Sequence, residues 1–407
     1  MTSPMTEASF PRAFAILVAS EAIGGAERYL VELAVAMSRS GTRPIVLNLK
    51  RGMAYEGELD RHHVKTRRGI AQNRFDPGGF LRLVQVLREE KPDVLLINSN
   101  RQALLLGALA SRLCHIPVTL IHTHDHIGPA LGPMRILAGA VDGVVAAAPS
   151  HRAYLCKALR LPPDRVAFVY PGINVDRMVE SGSVGQSRTG RAAATVGIIA
   201  ALRPEKDHET FLKAAALIAD ALPQARFLIA GDGPRRHLLE TMASSLGLAD
   251  RIQFLGWQRV DEGLLGRMDA LALSSMHETF PAVILEAFAC GVPVTVTDVG
   301  SVRDLLGSPP CGLLVPPGDP TALASAISSL LRDPGLAERL SRAGRERLGA
   351  FSAERFCRDM IVLSQRIGER KRAGARLDIS RLMEEGGARP SLASVPVVPH
   401  GESGHVN

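Results

Sequence analysis

The stretch ALALSSMHETFPAVILEAFACGVPVTVTD (270–298) predicts a strand, a loop, a helix and a second strand, in that order. Both ends are short apolar runs rich in β-branched or aliphatic residues, and the apolar segment between them has the length of a short helix. Pro281 suits the first residue of that helix, where its missing N–H costs nothing. Strands that are apolar without alternation are typical of parallel sheets covered on both faces. The stretch therefore predicts an α/β fold.

The same alternation continues in both directions and divides the chain into two halves. Amphipathic segments such as 27–40 and 80–90 separate the strands. The strand candidates are 13–18, 44–49, 93–98, 117–122, 143–148 and 165–170 in the first half, and 195–200, 226–231, 251–256, 270–275 and 293–298 in the second. We expect two doubly wound parallel-sheet domains facing each other across a cleft, with ligands beyond the carboxyl ends of the strands.

The domain boundaries follow from composition. A polar run rich in Gly and Ser at 180–191 separates the two halves and predicts a linker. We place the N-terminal domain at 1–170, the hinge and linker at 171–192 and the C-terminal domain at 193–352. Residues 353–372 predict one more amphipathic helix that packs back on the N-terminal domain. Residues 373–407 have no helical period and predict a disordered tail.

Composition excludes several classes of protein. Hydrophobic residues make up 46% of the 407, which excludes a disordered or collagen-like chain. The net charge of +7 favours anionic partners, but with 4% aromatic residues we expect no nucleic-acid partner.

The five cysteines include no CxxC pair, so we expect a reducing compartment and neither a disulfide framework nor a zinc cluster. The apolar run 14–20 favours a buried strand over a signal peptide, and no run reaches the roughly 18–20 residues of a membrane span.

Glycines and histidines follow strands of the first half. Gly24 and Gly25 lie between a strand and a helix, where they permit a ligand to approach the backbone or form an ordinary tight turn. His122, His124 and His126 alternate after the fourth strand. Alternate residues of an extended segment point the same way, so these histidines could bind a metal, bind hydroxyl groups or transfer protons, or could be structural.

In the second half, cations and glycines occupy the equivalent positions. Arg203 and Lys206 follow a strand and suit a phosphate or diphosphate, although a solvated loop is the plainer interpretation of the two residues alone. Gly231 and Gly233 predict a tight turn between a strand and a helix. The segment FLGWQ (254–258) ends another strand and could form one wall of a base pocket.

Two carboxylates give the strongest signal. Glu278 falls in a loop after a strand, and Glu286 lies about one and a half turns into the next helix. The N–H groups near Phe280–Val283, at the start of that helix, could receive phosphate or sugar oxygens. Carboxylates accept paired hydrogen bonds from neighbouring hydroxyls of a sugar or ribose, and a carboxylate in so apolar a segment needs a partner.

Together these motifs resemble the retaining glycosyltransferases of family four, which have the GT-B architecture of two Rossmann-like domains. The resemblance extends from about Phe14 to Gln365, and its most specific part is the E-x7-E signature ETFPAVILE (278–286). The other matching motifs are GGAER (24–28), PGINVD (171–176), RPEK (203–206), GDGP (231–234), AFACGVPV (287–294) and GLLVPPGDP (312–320). The HTHD segment is similar to members that build exopolysaccharide or O-antigen chains.

The resemblance implies a donor nucleotide sugar, such as a UDP- or GDP-sugar, on the C-terminal domain and a glycan or lipid-linked acceptor on the N-terminal domain. Glu286 would bind the ribose and Glu278 the donor sugar, with His122 or His124 near the reacting carbon. Lys206 and Arg203 would neutralise the diphosphate, helped by Gly25. Gly24, Gly231, Gly233, Phe280 and Pro281 would complete the donor site.

The sequence departs from the family pattern at three positions. Ala201 stands where many members have Arg, so we expect Arg203 to substitute. Thr279 replaces the common Gly after the first signature Glu and would narrow the donor-sugar pocket. The usual Asn-Gly of the hinge is rearranged to Gly172-Ile173-Asn174.

We expect no cofactor and no metal, because the chain contains no Asp-x-Asp triplet of the kind that holds a metal–diphosphate. An epimerase, a hydrolase or a non-catalytic nucleotide-sugar-binding protein are the alternatives. We expect a cytoplasmic protein. The basic stretch RHHVKTRR (61–68) fits either a solvated loop or peripheral docking on an anionic membrane at the inner face of the plasma membrane.

Overall fold

The computed structural model describes residues 11–21, 24–72, 76–123, 136–175, 193–258, 260 and 263–382. The linker run at 180–191, His124, His126 and residues 383–407 of the expected tail lie outside these residues.

The first half forms a seven-stranded parallel sheet. Its strands lie in the order β3-β2-β1-β4-β5-β6-β7, so the chain starts at the centre and winds outward in both directions. The strands are β1 (Ala13–Val18), β2 (Arg43–Asn48), β3 (Lys65–Arg67), β4 (Val94–Asn98), β5 (Val118–His122), β6 (Gly143–Ala146) and β7 (Val166–Phe168). The helices are α1 (Gly25–Arg39), α2 (Glu56–Arg61), α3 (Pro77–Glu90), α4 (Arg101–Leu113) and α5 (Pro149–Leu159), with a 3-10 turn at Pro163–Arg165.

The second half forms a six-stranded parallel sheet in the order β10-β9-β8-β11-β12-β13. Its strands are β8 (Thr195–Ile199), β9 (Arg226–Ala230), β10 (Ile252–Gly256), β11 (Ala270–Leu273), β12 (Val294–Thr297) and β13 (Leu313–Val315). Its helices are α6 (His208–Ala221), α7 (Arg236–Ser245), α8 (Ala282–Ala289), α9 (Val302–Leu306), α10 (Pro320–Arg332) and α11 (Pro334–Arg347). Short 3-10 turns lie at Pro204–Lys206, Leu265–Arg267 and Leu348–Phe351.

Both faces of each sheet are buried. In β1, Phe14 and Ile16 enter one hydrophobic cluster, while Ala15 and Leu17 enter another. This division follows from the alternation of side chains along a strand, and it confirms the α/β fold with parallel sheets covered on both faces. Each of the eleven strands expected from the sequence is present, with bounds shifted by three residues or fewer. The strands β3 and β13 were missed because neither lies in a longer apolar run: β3 is the polar stretch KTR, and β13 has three apolar residues that end at Pro316.

Two crossings of the chain between the domains lie side by side. The N–H of Ile173 donates to the carbonyl of Phe351 at 2.9 Å, and the N–H of Ala353 donates to the carbonyl of Ile173 at 3.0 Å. A side chain at Gly172 would begin 2.1 Å from the carbonyl oxygen of Ser352, so only glycine permits this approach. The rearranged hinge motif therefore places its glycine where the two crossings touch.

The C-terminal segment returns to the first domain. Helix α12 (Ala353–Arg372) lies against α1 and β5, and the short helix α13 (Ile379–Leu382) lies against α12 and β7. Ile379 is fully buried, and its side chain fills the space that Gly143 leaves on β6. We expected a disordered tail from residue 373. Residues 373–382 are instead ordered and end in the helix α13, which corrects that part of the expectation. A four-residue helix secured by two buried side chains is too short to leave a periodic signal in the sequence.

Candidate functional site

The signature glutamate Glu278 forms an ion pair with Lys206. The Lys206 Nζ donates to Glu278 Oε1 at 2.7 Å, and the Ser275 hydroxyl donates to the same oxygen, also at 2.7 Å. Glu278 is 8% exposed, whereas the Lys206 side chain is 24% exposed. The two charges that the family resemblance assigns to the donor sugar and the diphosphate therefore contact each other at the carboxyl end of the second sheet.

Hydrogen bonds join the loop that holds Lys206 to the loop that holds Glu278. The Ser274 hydroxyl donates to the carbonyls of Lys206 and Asp207 at 3.1 and 2.8 Å. The N–H of Met276 donates to the carbonyl of Glu205 at 2.9 Å. Because β8 and β11 are neighbours in the sheet, these bonds join the loops that follow adjacent strands. They fix the relative position of the two charged side chains.

Helix α8 presents the second signature glutamate. Pro281 is its N-cap, so the helix begins at Ala282, one residue later than expected. Glu286 is the fifth residue of this helix and is 5% exposed. No side chain caps the N-terminus, where the first N–H groups of a helix have no partner within the helix. The partial positive charge of those groups suits an anion.

Tyr29 of α1 contacts this site from the other domain. Its hydroxyl donates to the carbonyl oxygen of Phe280 at 3.3 Å, and the two rings are 6.2 Å apart. Burial raises the pKa of the Tyr29 phenol well above its usual value, and the charges of Glu286 and Glu278 raise it further. The tyrosine is therefore neutral and close to both signature carboxylates.

An aromatic cluster continues this contact between the domains. Phe280 packs on Tyr170 and Phe351, with ring centroids 5.9 and 5.7 Å away. Tyr170 precedes the hinge, and Phe351 ends the 3-10 turn that leads back to the first domain. The predicted donor residue Phe280 is 6% exposed, so its ring belongs to the interface between the domains.

Gly24 and Gly25 lie at the N-terminus of α1, which also bears Tyr29. Gly24 is the N-cap, and its N–H donates to the Glu27 carboxylate at 3.1 Å. Gly25 is exposed, and a Cβ added there would meet no atom within 4 Å. This open space beside backbone N–H groups is what the approach of a ligand requires.

Gly231 and Gly233 have a packing role in the structure. A Cβ at Gly231 would lie 1.9 Å from the carbonyl oxygen of Ala200, and one at Gly233 would lie 2.5 Å from that of Leu202. The N–H of Leu202 donates to the carbonyl of Asp232 at 3.0 Å. Both glycines thus let the loop after β9 support the loop that leads to Lys206.

His122 ends β5 but is covered by α12. Its side chain is fully buried, and its ring lies 5.5 Å from that of Phe356. Burial lowers its pKa to about 3, with His151 as a smaller cause. The returning helix therefore covers this side of the strand, and the imidazole is neutral at physiological pH.

Two other predicted residues are exposed. Arg203 precedes the 3-10 turn of Lys206, and its guanidinium forms no ion pair with any described residue. Trp257 follows β10 and is 61% exposed. The N–H of Gly231 donates to the carbonyl of Gly256 at 2.7 Å, which places the start of the FLGWQ turn beside the glycine turn after β9.

The basic stretch 61–68 includes β3, an edge strand. Glu90, which is 4% exposed, pairs with Lys65 at 2.7 Å, Arg67 at 3.2 Å and Arg43 at 3.3 Å. Arg68 pairs with Glu56 at 3.1 Å. Glu90 and Glu56 thus offset part of the positive charge of this stretch. The surface around Glu90 remains net positive, because three basic side chains share its single carboxylate.

Two other features are absent from the described ranges. No three His, Cys, Asp or Glu side chains come together there as a metal ion would need. No helix in the same part of the chain has the length and hydrophobicity needed to cross a membrane.

Comparison with known proteins identifies the family. The structure of Anabaena HepE in complex with UDP and glucose matches with a TM-score of 0.74 at 21% identity, over 85% of this chain and 97% of that one. Family profiles described as Glycosyltransferase Family 4 and Glycosyl transferases group 1 match residues 23–177 and 187–347. The 2-deoxystreptamine glucosyltransferase of Streptomyces kanamyceticus is 30% identical over 65% of this chain and 74% of that protein. The chain belongs to the GT-B glycosyltransferases.

This glycosyltransferase also resembles proteins named for polysaccharide synthesis. The lipopolysaccharide core biosynthesis glycosyltransferase LpsD of Rhizobium meliloti is 29% identical over 83% of this chain and 94% of that protein. The two profiles meet near the hinge, so each matches one of the two sheets. The resemblance inferred from the sequence motifs is confirmed at the level of family and fold.

Sequence reasoning missed three residues at this site or at the interface beside it. Ser275 and Tyr29 contact the signature segment but were assigned no role from the sequence, although Ser275 lies within the stretch 270–298. Asp304 meets the other domain through α9. The spacing S-x-x-E of Ser275 and Glu278 is the one signal that could have indicated the first of these.

Proposed function

We propose that this glycosyltransferase transfers a sugar from a nucleotide sugar, such as a UDP- or GDP-sugar, to a hydroxyl of a glycan or lipid-linked acceptor, with retention at the anomeric carbon. The observation that supports the proposal most directly is the meeting of Lys206, Glu278 and helix α8 with Tyr29 of the other domain. A cation, a helix N-terminus and two buried carboxylates suit a diphosphate flanked by two sets of hydroxyls.

Each side chain then has a role in the transfer. Glu286 binds the ribose and Glu278 the donor sugar, while Lys206 and Arg203 stabilise the negative charge that grows on the leaving diphosphate. We assign no side chain as general base, because in the proposed front-face reaction the leaving phosphate oxygen takes the proton of the acceptor hydroxyl. Burial makes the His122 imidazole a weak base, so we assign it a binding role near the reacting carbon and not the transfer of a proton.

We further propose a cytoplasmic enzyme of cell-surface polysaccharide or glycolipid synthesis that needs no metal. The relatives named for lipopolysaccharide core synthesis support the pathway class, and the missing Asp-x-Asp triplet supports metal independence. A donor site between two domains would exclude water when it closes, which limits hydrolysis of the donor.

The test begins with a thermal-shift panel of UDP-, GDP- and ADP-sugars, because a ligand that binds the folded state raises the melting temperature. The donor that binds is then incubated with an acceptor mixture, and the products are analysed by NMR. A glycoside with the anomeric configuration of the donor, formed equally well in EDTA, is expected. Epimerised or hydrolysed donor with no acceptor product would favour the alternative enzyme classes, and no turnover would favour a binding protein.

A further inference from the structure

Two hydrogen-bond donors share one oxygen of Glu278, and they differ in how strongly a diphosphate would attract them. Lys206 Nζ and Ser275 Oγ both lie 2.7 Å from Glu278 Oε1. The ammonium is attracted to any anion that enters the site, whereas the hydroxyl is neutral. A diphosphate therefore competes with Glu278 for Lys206 but not for Ser275.

Ser275 is held more firmly than Lys206. It is 1% exposed, and its carbonyl oxygen accepts a hydrogen bond of 2.6 Å from the Thr297 hydroxyl at the end of β12. Lys206 lies in a partly exposed 3-10 turn, and its side chain has four rotatable bonds above a backbone fixed by Ser274. The ammonium can therefore swing to a ligand while the hydroxyl stays in place.

Glu278 needs a donor throughout. A carboxylate that is 8% exposed loses much of its hydration, so losing a hydrogen-bond donor there leaves part of its desolvation cost uncompensated. If Lys206 moved from Glu278 to a diphosphate and no other hydrogen-bond donor remained on Oε1, Glu278 would lose its partner when the ligand binds. This cost would weaken the binding of the ligand.

We propose that Ser275 is a positioning residue that holds Glu278 while Lys206 passes from Glu278 to the diphosphate of the donor. The inference rests on the proposed nucleotide-sugar donor. The Lys206–Glu278 ion pair is then present in the empty site and breaks when the donor binds. The hydroxyl of Ser275 keeps the Glu278 carboxylate in position for the sugar.

The experiment measures the affinity for UDP and GDP by calorimetry, because these ligands contain no sugar for Glu278 to contact. Ser275→Ala should weaken binding of the nucleotide that the wild type prefers by about tenfold. The same substitution in a Glu278→Gln background should have less than a twofold effect, because a neutral amide does not hold the ammonium or need the hydroxyl in the same way. Ser364→Ala, which deletes a buried hydroxyl that donates to the Met360 carbonyl in α12, is the matched control and should change nothing.

The outcomes separate this inference from the proposed function. Wild-type affinity in Ser275→Ala would overturn the inference. An equal loss of affinity in the wild-type and Glu278→Gln backgrounds would also overturn it, because that result indicates a serine with only a structural role. A wild-type protein that binds neither UDP nor GDP, or a Lys206→Met variant that binds as well as the wild type, would overturn the proposed donor site itself.

Discussion

Asp304 of the C-terminal domain caps a helix of the N-terminal domain. Its carboxylate accepts a hydrogen bond of 3.0 Å from the backbone N–H of Ser150, in the first turn of α5, and a second one from the Ser150 hydroxyl. Ala148, the N-cap of α5, has no side chain that could accept this bond. The cap is thus supplied by the other domain, and it forms when the two domains are together.

Removing this contact should favour separation of the domains. We expect Asp304→Ala to lower the free energy of unfolding by about 1–2 kcal/mol, the usual value of an N-cap, and to enlarge the radius of gyration measured by X-ray scattering. Asp250→Ala, at an exposed aspartate between α7 and β10, is the control. Equal melting temperature and equal radius in the two variants would contradict this role.

Glu286→Gln should weaken binding of the preferred nucleoside diphosphate by about 1–3 kcal/mol, because ribose hydroxyls donate more strongly to a carboxylate than to an amide. Calorimetry with UDP or GDP measures the loss. Glu338→Gln, on the exposed face of α11, should bind like the wild type. An unchanged affinity in folded Glu286→Gln would show that this residue does not bind the ribose.

Gly25→Ala should weaken donor binding without destabilising the protein. The added methyl meets open space within the chain, and alanine favours a helix by about 1 kcal/mol over glycine. The same methyl would occupy the approach of the diphosphate, so we expect a loss of at least about tenfold in affinity, or about 1.4 kcal/mol. Gly57→Ala, also near a helix start with open space, is the control. Normal affinity in Gly25→Ala would argue against a ligand at this glycine.

Acid should destabilise the protein through His122. Its pKa is about 3 when folded and near 6.5 when unfolded, so between these values the unfolded chain binds a proton that the native one does not. Stability is therefore full above about pH 6.5 and falls as the pH is lowered towards 3, by up to about 1.4 kcal/mol per pH unit. His208, with its pKa lowered to about 4 by burial, acts in the same direction.

Urea unfolding between pH 4 and 7 measures this slope. The slope should be smaller in His122→Gln than in the wild type, whereas His237→Gln, at an exposed position of α7, should leave it unchanged. If His122→Gln retains the full slope, the buried imidazole is not its source.

The basic stretch 61–68 predicts salt-dependent binding to anionic membranes. Each basic residue near the lipid contributes on the order of 1 kcal/mol, which salt screens. Co-sedimentation with phosphatidylglycerol vesicles should exceed that with phosphatidylcholine vesicles at low salt, and should fall at high salt. The test variant replaces Arg61, Lys65, Arg67 and Arg68 by serine, and the control replaces Lys213, Arg332, Arg339 and Arg342.

The test variant should lose the binding and the control should keep it. Binding that ignores lipid charge, or that survives in the test variant, would exclude this stretch as the anchor. The solvated-surface interpretation would then stand, with Glu90 as the main partner of these cations.

The sequence alone determined eleven of the thirteen strands that the structure describes, the order of the two sheets along the chain and the signature segment. These are local properties: an apolar run such as 13–18 predicts its own strand, and the spacing of Glu278 and Glu286 places one in a loop and the other on a helix. The family resemblance followed from motifs in a fixed order, each of them contiguous.

The tertiary structure decided which groups meet. Lys206 and Glu278 are 72 residues apart, Tyr29 and Phe280 are 251 apart, and Ser150 and Asp304 are 154 apart. No periodic pattern relates such pairs, because each contact depends on the order of strands in a sheet and on how the two sheets face each other. For the same reason the burial of His122 beneath α12 could not be predicted: the helix that covers it begins more than 200 residues later along the chain.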